Sequence, residues 1–163
     1  MSLHIAILTV SDTRTLETDT SGALLAERLA QAGHALAARE LIRDDRYALR
    51  ARLSTWIADP GIDVVLLSGG TGITARDITV EAVRPLLDKE IDGFGELFRW
   101  LSYDDVGTST IQSRALGGIA NRTLIFCMPG STRACELAWD RILSAQLNKA
   151  NKPCNFVELM PRL

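Results

Sequence analysis

Cysteine is scarce in this chain. The three residues, Cys127, Cys135 and Cys154, are an odd number and show no metal-ligating spacing. They therefore speak against a disulfide framework or a thiolate metal site, and for free thiols in a reducing compartment. Histidine is scarcer still: there are only His4 and His34. One lies at the chain end, the other follows a helix, and neither has an evident nucleophile beside it, so triad chemistry has nothing to build on. No run approaches the ~18 apolar residues of a membrane-spanning helix. Residues 1–5 lack the basic and apolar regions of a signal peptide, and the cytoplasm is the expected location. Positive charge is not in excess. A net charge of −2 gives no electrostatic reason to expect nucleic acid or an anionic membrane as partner. No G-x-x-x-x-G-K-[ST] occurs, which excludes a P-loop nucleotidase.

What is present reads as one domain over residues 1–163. The hydrophobic share of 47% and charged share of 23% are ordinary for a globular protein, and the length suffices for a full core. Apolar runs, among them Val64-Val65-Leu66-Leu67, predict strands at 5–10, 63–67 and 123–128 that are buried on both faces, as in a parallel sheet. A weaker strand at 35–42 carries Arg39 and Glu40 and belongs nearer an edge. Between them lie helical patterns. One, capped by Thr20 or Ser21, carries Leu25, Leu29 and Ala32 and stops at Gly33. Another, capped by Asp44 or Asp45, carries Leu49, Leu53, Trp56 and Ile57. Thr79 is the expected cap of a helix reaching about Leu87, with Pro85 ending or kinking it. A helix opening at Gly93-Phe94-Gly95-Glu96 buries Phe94, Leu97, Phe98 and Leu101 and leaves Trp100 off that face, a hint of a protein interface. A short helix is expected at 111–116, closed by Gly117-Gly118. A final helix over 132–147 has a stripe of Cys135, Ala138, Trp139, Ile142 and Ala145 wide enough to be buried from two sides, and a short strand is expected at 155–159. This β-α alternation predicts a three-layer α/β/α sandwich with a mostly parallel central sheet.

The most informative stretch is Ser68-Gly69-Gly70-Thr71-Gly72, directly after the third apolar run. Glycines there let backbone N–H groups turn toward a ligand, and such groups form an anion-binding concavity. Ligands of open α/β sheets sit beyond the carboxyl ends of strands, where this loop lies. Residues 70–75 also fit G-x-G-x-x-A, but they follow the third strand rather than the first, and no acid ~20 residues on stands ready for a ribose. Pro129-Gly130-Ser131 follows another strand at the same sheet end. So do the carboxylates Asp12, Asp19, Asp44 and Asp77, each by itself readable as a cap or a solvated group. Together with a phosphate cradle they point to a divalent cation, since Mg²⁺ commonly bridges one or two carboxylates and substrate phosphates. From the residues alone, the reading is a phosphate-bearing ligand, a hard metal and chemistry at phosphorus.

The ordered set of motifs resembles the molybdopterin-binding MoaB/Mog family over nearly the whole chain. It comprises Ile7-Leu8-Thr9-Val10-Ser11-Asp12, Asp19-Thr20-Ser21-Gly22, the glycine loop followed by Arg76-Asp77, Gly93-Phe94-Gly95-Glu96, Ser113-Arg114 and Pro129-Gly130-Ser131. The segments 101–110 and 152–156 look most like the bacterial MoaB branch. The resemblance implies a homotrimer or hexamer working in molybdenum cofactor biosynthesis. The implied activity is Mg²⁺-dependent transfer of an adenylyl group from ATP to molybdopterin; the alternative is a molybdopterin-binding or carrier oligomer without catalysis. Carried over by position, Asp44 and Asp77 match the two catalytic acids, with Asp77 the Mg²⁺ partner. Ser68, Gly69, Gly70, Thr71 and Gly72, with Pro129, Gly130 and Ser131, match the loops contacting pterin and phosphate. Ser11, Asp12, Glu96, Ser113 and Arg114 are further wall residues, and Arg76 and Arg114 are the cations nearest the lysine-free loop.

Overall fold

The computed structural model describes residues 1–163. Its strands are β1 (His4–Val10), β2 (Ala35–Ile42), β3 (Val64–Ser68), β4 (Lys89–Glu90), β5 (Leu116–Ala120) and β6 (Thr123–Met128). They form one sheet in the order β2-β1-β3-β6-β5-β4. The pairs β1–β2, β1–β3 and β3–β6 are parallel. β5 runs antiparallel to both β6 and β4. The longer helices are α1 (Thr20–Gln31), α2 (Arg46–Ala58), α3 (Thr79–Val83), α4 (Asp92–Val106) and α5 (Thr132–Ala138), followed by the short α6 (Ser144–Gln146) and α7 (Phe156–Leu159). No helix is long and apolar enough to cross a membrane.

Strand alternation divides the core in two. Ile5, Ile7, Val64, Leu66, Leu124 and Phe126 point to the face covered by α1, α4 and α5. Ala6, Leu8, Val65, Leu67, Ile125 and Cys127 point to the face covered by α2 and α3. The result is a three-layer α/β/α sandwich with a mostly parallel sheet. The charged strand β2 lies at the edge, where Arg39 and Glu40 keep partial access to water.

Several local expectations give way to tertiary packing. Asp19, rather than Thr20 or Ser21, caps α1, accepting the Gly22 N–H. The helix expected at 111–116 is replaced by a 3₁₀ segment, Gly107–Gln112, and then by β5. Gly117 and Gly118 do not stop a helix. They sit where a β-carbon would come within 2.8 Å of Phe94 and 2.5 Å of Leu87, so the strand can lie flush under both side chains. Residues 156–159 are helical, capped by the buried Asn155 through the Glu158 N–H. The last helix is interrupted by a π turn at Trp139–Leu143. Cys135, Ala138, Trp139 and Ile142 are buried within the chain itself, so that wide stripe needs no second subunit. Trp100, by contrast, is 73% exposed. The helix expected to reach Leu87 ends at Val83 and tightens into a 3₁₀ turn, Arg84–Leu86, around Pro85.

Phe126 anchors the larger core half. It is fully buried, 4.9 Å from the Phe94 ring and 5.5 Å from the Phe156 ring. Phe126→Ala is expected to lower stability by ~3–5 kcal/mol through lost burial and a residual cavity, measured by urea unfolding.

Candidate functional site

The glycine loop is built by close backbone approach. Gly69 and Gly70 have φ of +97° and +67°, in the region that L side chains rarely enter. A β-carbon at Gly69 would stand 2.2 Å from the Val10 carbonyl oxygen, and one at Gly70 2.3 Å from Thr79 Oγ1. Thr79 does not cap α3 with its side chain. Its hydroxyl donates to the Gly69 carbonyl (2.7 Å), and its N–H donates to the Gly70 carbonyl (3.0 Å). The far side of the loop is held by Arg114. Its N–H donates to the Thr71 carbonyl (3.0 Å) and its Nε to the Gly72 carbonyl (2.8 Å). The rest of the guanidinium forms a two-pronged pair with Glu81 of α3. Arg114 is thus consumed in holding the loop. Glu81, which draws the charge away from any ligand, has no local sequence signal.

The second wall, Pro129-Gly130-Ser131, is joined to the first from beneath. A β-carbon at Gly130 would lie 3.1 Å from Gly69 Cα. Ser21 Oγ donates to the Gly130 carbonyl (2.8 Å), and Ser131 caps α5 through the Ala134 N–H (3.1 Å). Asp19 ties these parts together. Its buried carboxylate accepts from Thr9 Oγ1 (2.8 Å), Gly22 N–H (2.9 Å) and Arg39 (3.2 Å), and Ser68 Oγ donates in turn to Thr9 Oγ1 (3.4 Å). Ser68 was expected to touch ligand; its side chain is instead fully buried in this layer. Strand parity is the reason, since Ser68 continues the face of Val64 and Leu66. Cys127 and Cys135 are both pushed up to about 12 by burial, which leaves neither thiol available as a nucleophile at neutral pH.

Three carboxylates gather at the loop. Asp44 Oδ1 lies 3.4 Å from where a Gly70 β-carbon would be, and the Asp77 carboxylate lies within 2.7–3.1 Å of the same point at Gly72. Asp12 accepts the Asp44 N–H and an Arg76 N–H, each at 3.0 Å. Their titration differs. Asp44 is raised above its ordinary value by burial and then by the charge of Asp12, with a lesser push from Asp77; Arg76 and the Asp12 backbone oppose this without cancelling it. For Asp77 burial works upward, but it is outweighed by the Thr74 hydroxyl and N–H, the Gly72 N–H and the charge of Arg114, so the net shift is downward. Asp12 is also lowered, first by the Asp44 N–H. No three carboxylate, thiol or imidazole groups converge closely enough to hold an ion alone.

Beside these acids a recess of about 300 Å³ opens, lined by Thr71, Gly72, Ser113, Pro129 and Ser131 of the expected set. Phe98, Val106 and Leu137 supply its apolar wall. Ser113, which also lines the neighbouring groove under α4, has its Oγ buried and without a hydrogen-bond partner. Of the further wall residues, Ser113 alone lines this recess; Asp12 stands with the acids and Arg114 behind the loop. Glu96, on the exposed side of the start of α4, lines a neighbouring groove with Arg84, Arg99, Arg114 and Ser113, the last shared with the recess. Ser11 is tied to its own loop, accepting from Thr13 and Arg14 N–H.

Comparison with known proteins places this geometry. Residues 6–149 match a family model described as "Probable molybdopterin binding domain". Molybdenum cofactor biosynthesis protein B of Escherichia coli (strain K12) is 53% identical over 153 residues, covering 94% of this chain and 90% of that protein. The protein of the same name from Bacillus cereus is 50% identical over 142 residues, covering 86% and 84%. A crystal structure of a molybdenum cofactor biosynthesis protein B superposes with a TM-score of 0.87 at 48% identity, covering 90% of this chain and 92% of the other. A glycine cradle, its two flanking acids and matches spanning nearly the full length all converge: the chain belongs to the MoaB family of molybdopterin-binding domains.

Proposed function

We propose that the protein acts in molybdenum cofactor biosynthesis as a molybdopterin adenylyltransferase using ATP and Mg²⁺. The observation that carries this reading is the meeting of Asp44 and Asp77 at two glycines of one loop, next to a recess with an apolar wall. In the reaction an oxygen of the terminal phosphate of molybdopterin attacks the α-phosphorus of ATP. A new P–O–P bond forms as the bond from the α-phosphorus to the bridging oxygen of the β-phosphate breaks. Pyrophosphate leaves with the electron pair.

The chain's own groups divide this work. The Phe98, Val106 and Leu137 wall suits a flat heterocycle. The orphaned Ser113 hydroxyl has a hydrogen bond to give to a polar ligand atom. Gly70 and Gly72 let Thr79 and the two acids close on the loop without β-carbons in the way. Asp77, held in a turn by Thr74, is ionised and oriented before substrate arrives. Asp44 carries negative charge that Asp12 and Asp77 oppose. The donor set suits Mg²⁺, which uses one or two carboxylates and completes its shell with phosphates and water. Asp77, with Asp44 beside it, would hold the ion; when bound, it offsets the repulsion between the approaching phosphates. The same reading carries a homo-oligomer, trimeric or hexameric, with Trp100 in its interface.

Three outcomes follow. Asp77→Asn keeps the acceptor for Thr74 but removes the charge. Pyrophosphate release from ATP, Mg²⁺ and molybdopterin should fall by roughly 10²-fold or more, with molybdopterin affinity little changed. Equal loss of both, or no pyrophosphate from the wild type, returns the protein to the carrier reading. Asp44→Asn should melt at a higher temperature than the wild type at neutral pH. The folded carboxyl titrates above the unfolded one, so its penalty is full above the folded value and vanishes as pH falls below the ordinary value of 3.8. The gain should fade over that window in a pH series of thermal melts, and a gain independent of pH contradicts it. Trp100→Glu should shift sedimentation toward the monomer, whereas a monomeric wild type at micromolar concentration overturns the assembly.

A further inference from the structure

The charge around the loop is unevenly spent. Arg114 is committed to Glu81 and the loop carbonyls. Arg50 of α2 donates to the Glu81 and Ala82 carbonyls at 2.8 and 3.2 Å, bracing α2 against α3. Arg76 bridges to Asp12 at 3.0 Å and is 65% exposed. Two further guanidiniums at this end have no ion pair and no side-chain hydrogen bond. Arg43 follows the last residue of β2, directly before Asp44, and Arg46 opens α2. Both are exposed.

Their placement is fixed by their neighbours. The Asp44 N–H is held by Asp12, so Arg43, the residue directly before Asp44, stands at the shoulder of the carboxylate cluster. Arg46 precedes Arg50 by four residues and so shares its face of α2, the one turned to α3. From there it acts on Glu81. Arg43 and Arg76 thus flank Asp12 and Asp44, Arg46 stands toward Glu81, and none of the three lines the recess.

We propose that Arg43 and Arg46, together with Arg76, form a polyphosphate-binding rim that takes the β- and γ-phosphates of the nucleotide and retains the departing pyrophosphate. This rests on the adenylyl-transfer reading and adds to it the side from which the triphosphate enters. Planar guanidiniums pair with phosphate oxygens through parallel N–H donors. The recess, lined by hydroxyls, glycine and apolar groups, has one cation, Arg133, and that is paired with Asp105. The pyrophosphate leaving group develops charge at the bridging oxygen as the α–β bond breaks, and the unspent arginines are the chain's means of meeting it.

The test is calorimetric titration of the whole protein with inorganic tripolyphosphate in the presence of magnesium, because the carboxylates between the arginines repel a bare polyanion. The Arg43→Ala/Arg46→Ala double variant should bind roughly tenfold or more weakly than the wild type. Arg141→Ala, an exposed arginine on the π turn, should bind as the wild type does. Wild-type affinity should fall with added salt. In turnover, KM for ATP should rise in the double variant while half-saturation by molybdopterin holds. A double variant that binds like the wild type, a wild type that does not bind, or an equal loss in Arg141→Ala overturns the rim. Binding that needs Arg43 and Arg46, in a protein that releases no pyrophosphate, upholds the rim and removes the transferase reading instead.

Discussion

A single buried carboxylate holds the working end of this sheet together. Asp19 accepts from a strand hydroxyl, from a helix N–H and from a guanidinium. Without such donors a carboxylate this deep would cost several kcal/mol. With them it becomes a three-way joint. One arm runs through Thr9 to Ser68 and the glycine loop. Another fixes the start of α1, from which Ser21 reaches Gly130. The third is Arg39 on the edge strand, whose position at the border lets its charge stay partly hydrated. The two site loops then meet glycine to glycine, so close that a β-carbon on Gly130 would be crowded at 3.1 Å from Gly69 Cα.

Electrostatics above this layer is arranged by pairing off rather than by accumulation. Arg114 might have been read as a phosphate ligand, yet Glu81 neutralises it and turns it into a clamp on loop carbonyls. Asp12 is matched by Arg76. Asp44 is raised first by burial and then by the charge of Asp12, and Arg76 offsets only part of that. A site that keeps one carboxylate only partly compensated holds a local preference for a cation, which a fully paired surface would not have.

Much of this was legible in the sequence, for physical reasons. The strands β1, β3 and β6 are buried on both faces, so their apolar runs are unbroken, and β2 announces its edge position through Arg39 and Glu40. The two acids and both loops follow strand ends, where an open α/β sheet keeps its ligands. What was not legible depended on distant partners. Gly117 and Gly118 look like a helix stop locally but are landing places for Phe94 and Leu87. Glu81 is one glutamate among several until Arg114 arrives from another part of the chain. Ser68 belongs to the glycine motif by spacing and to the core by strand parity, and only the pairing of β3 decides between the two.

The helix α4 presents Phe98 to the recess and, 200° round its axis, Trp100 to solvent. One rod is therefore both the back wall of the ligand recess and the carrier of the largest exposed aromatic surface. Any displacement of α4 that a neighbour at Trp100 produces alters the room behind Phe98. Linkage makes such an effect mutual, so a ligand pressing on Phe98 would change the strength of that contact by the same free energy. Occupancy and assembly would then be two readings of a single coordinate, the seating of α4 against the sheet.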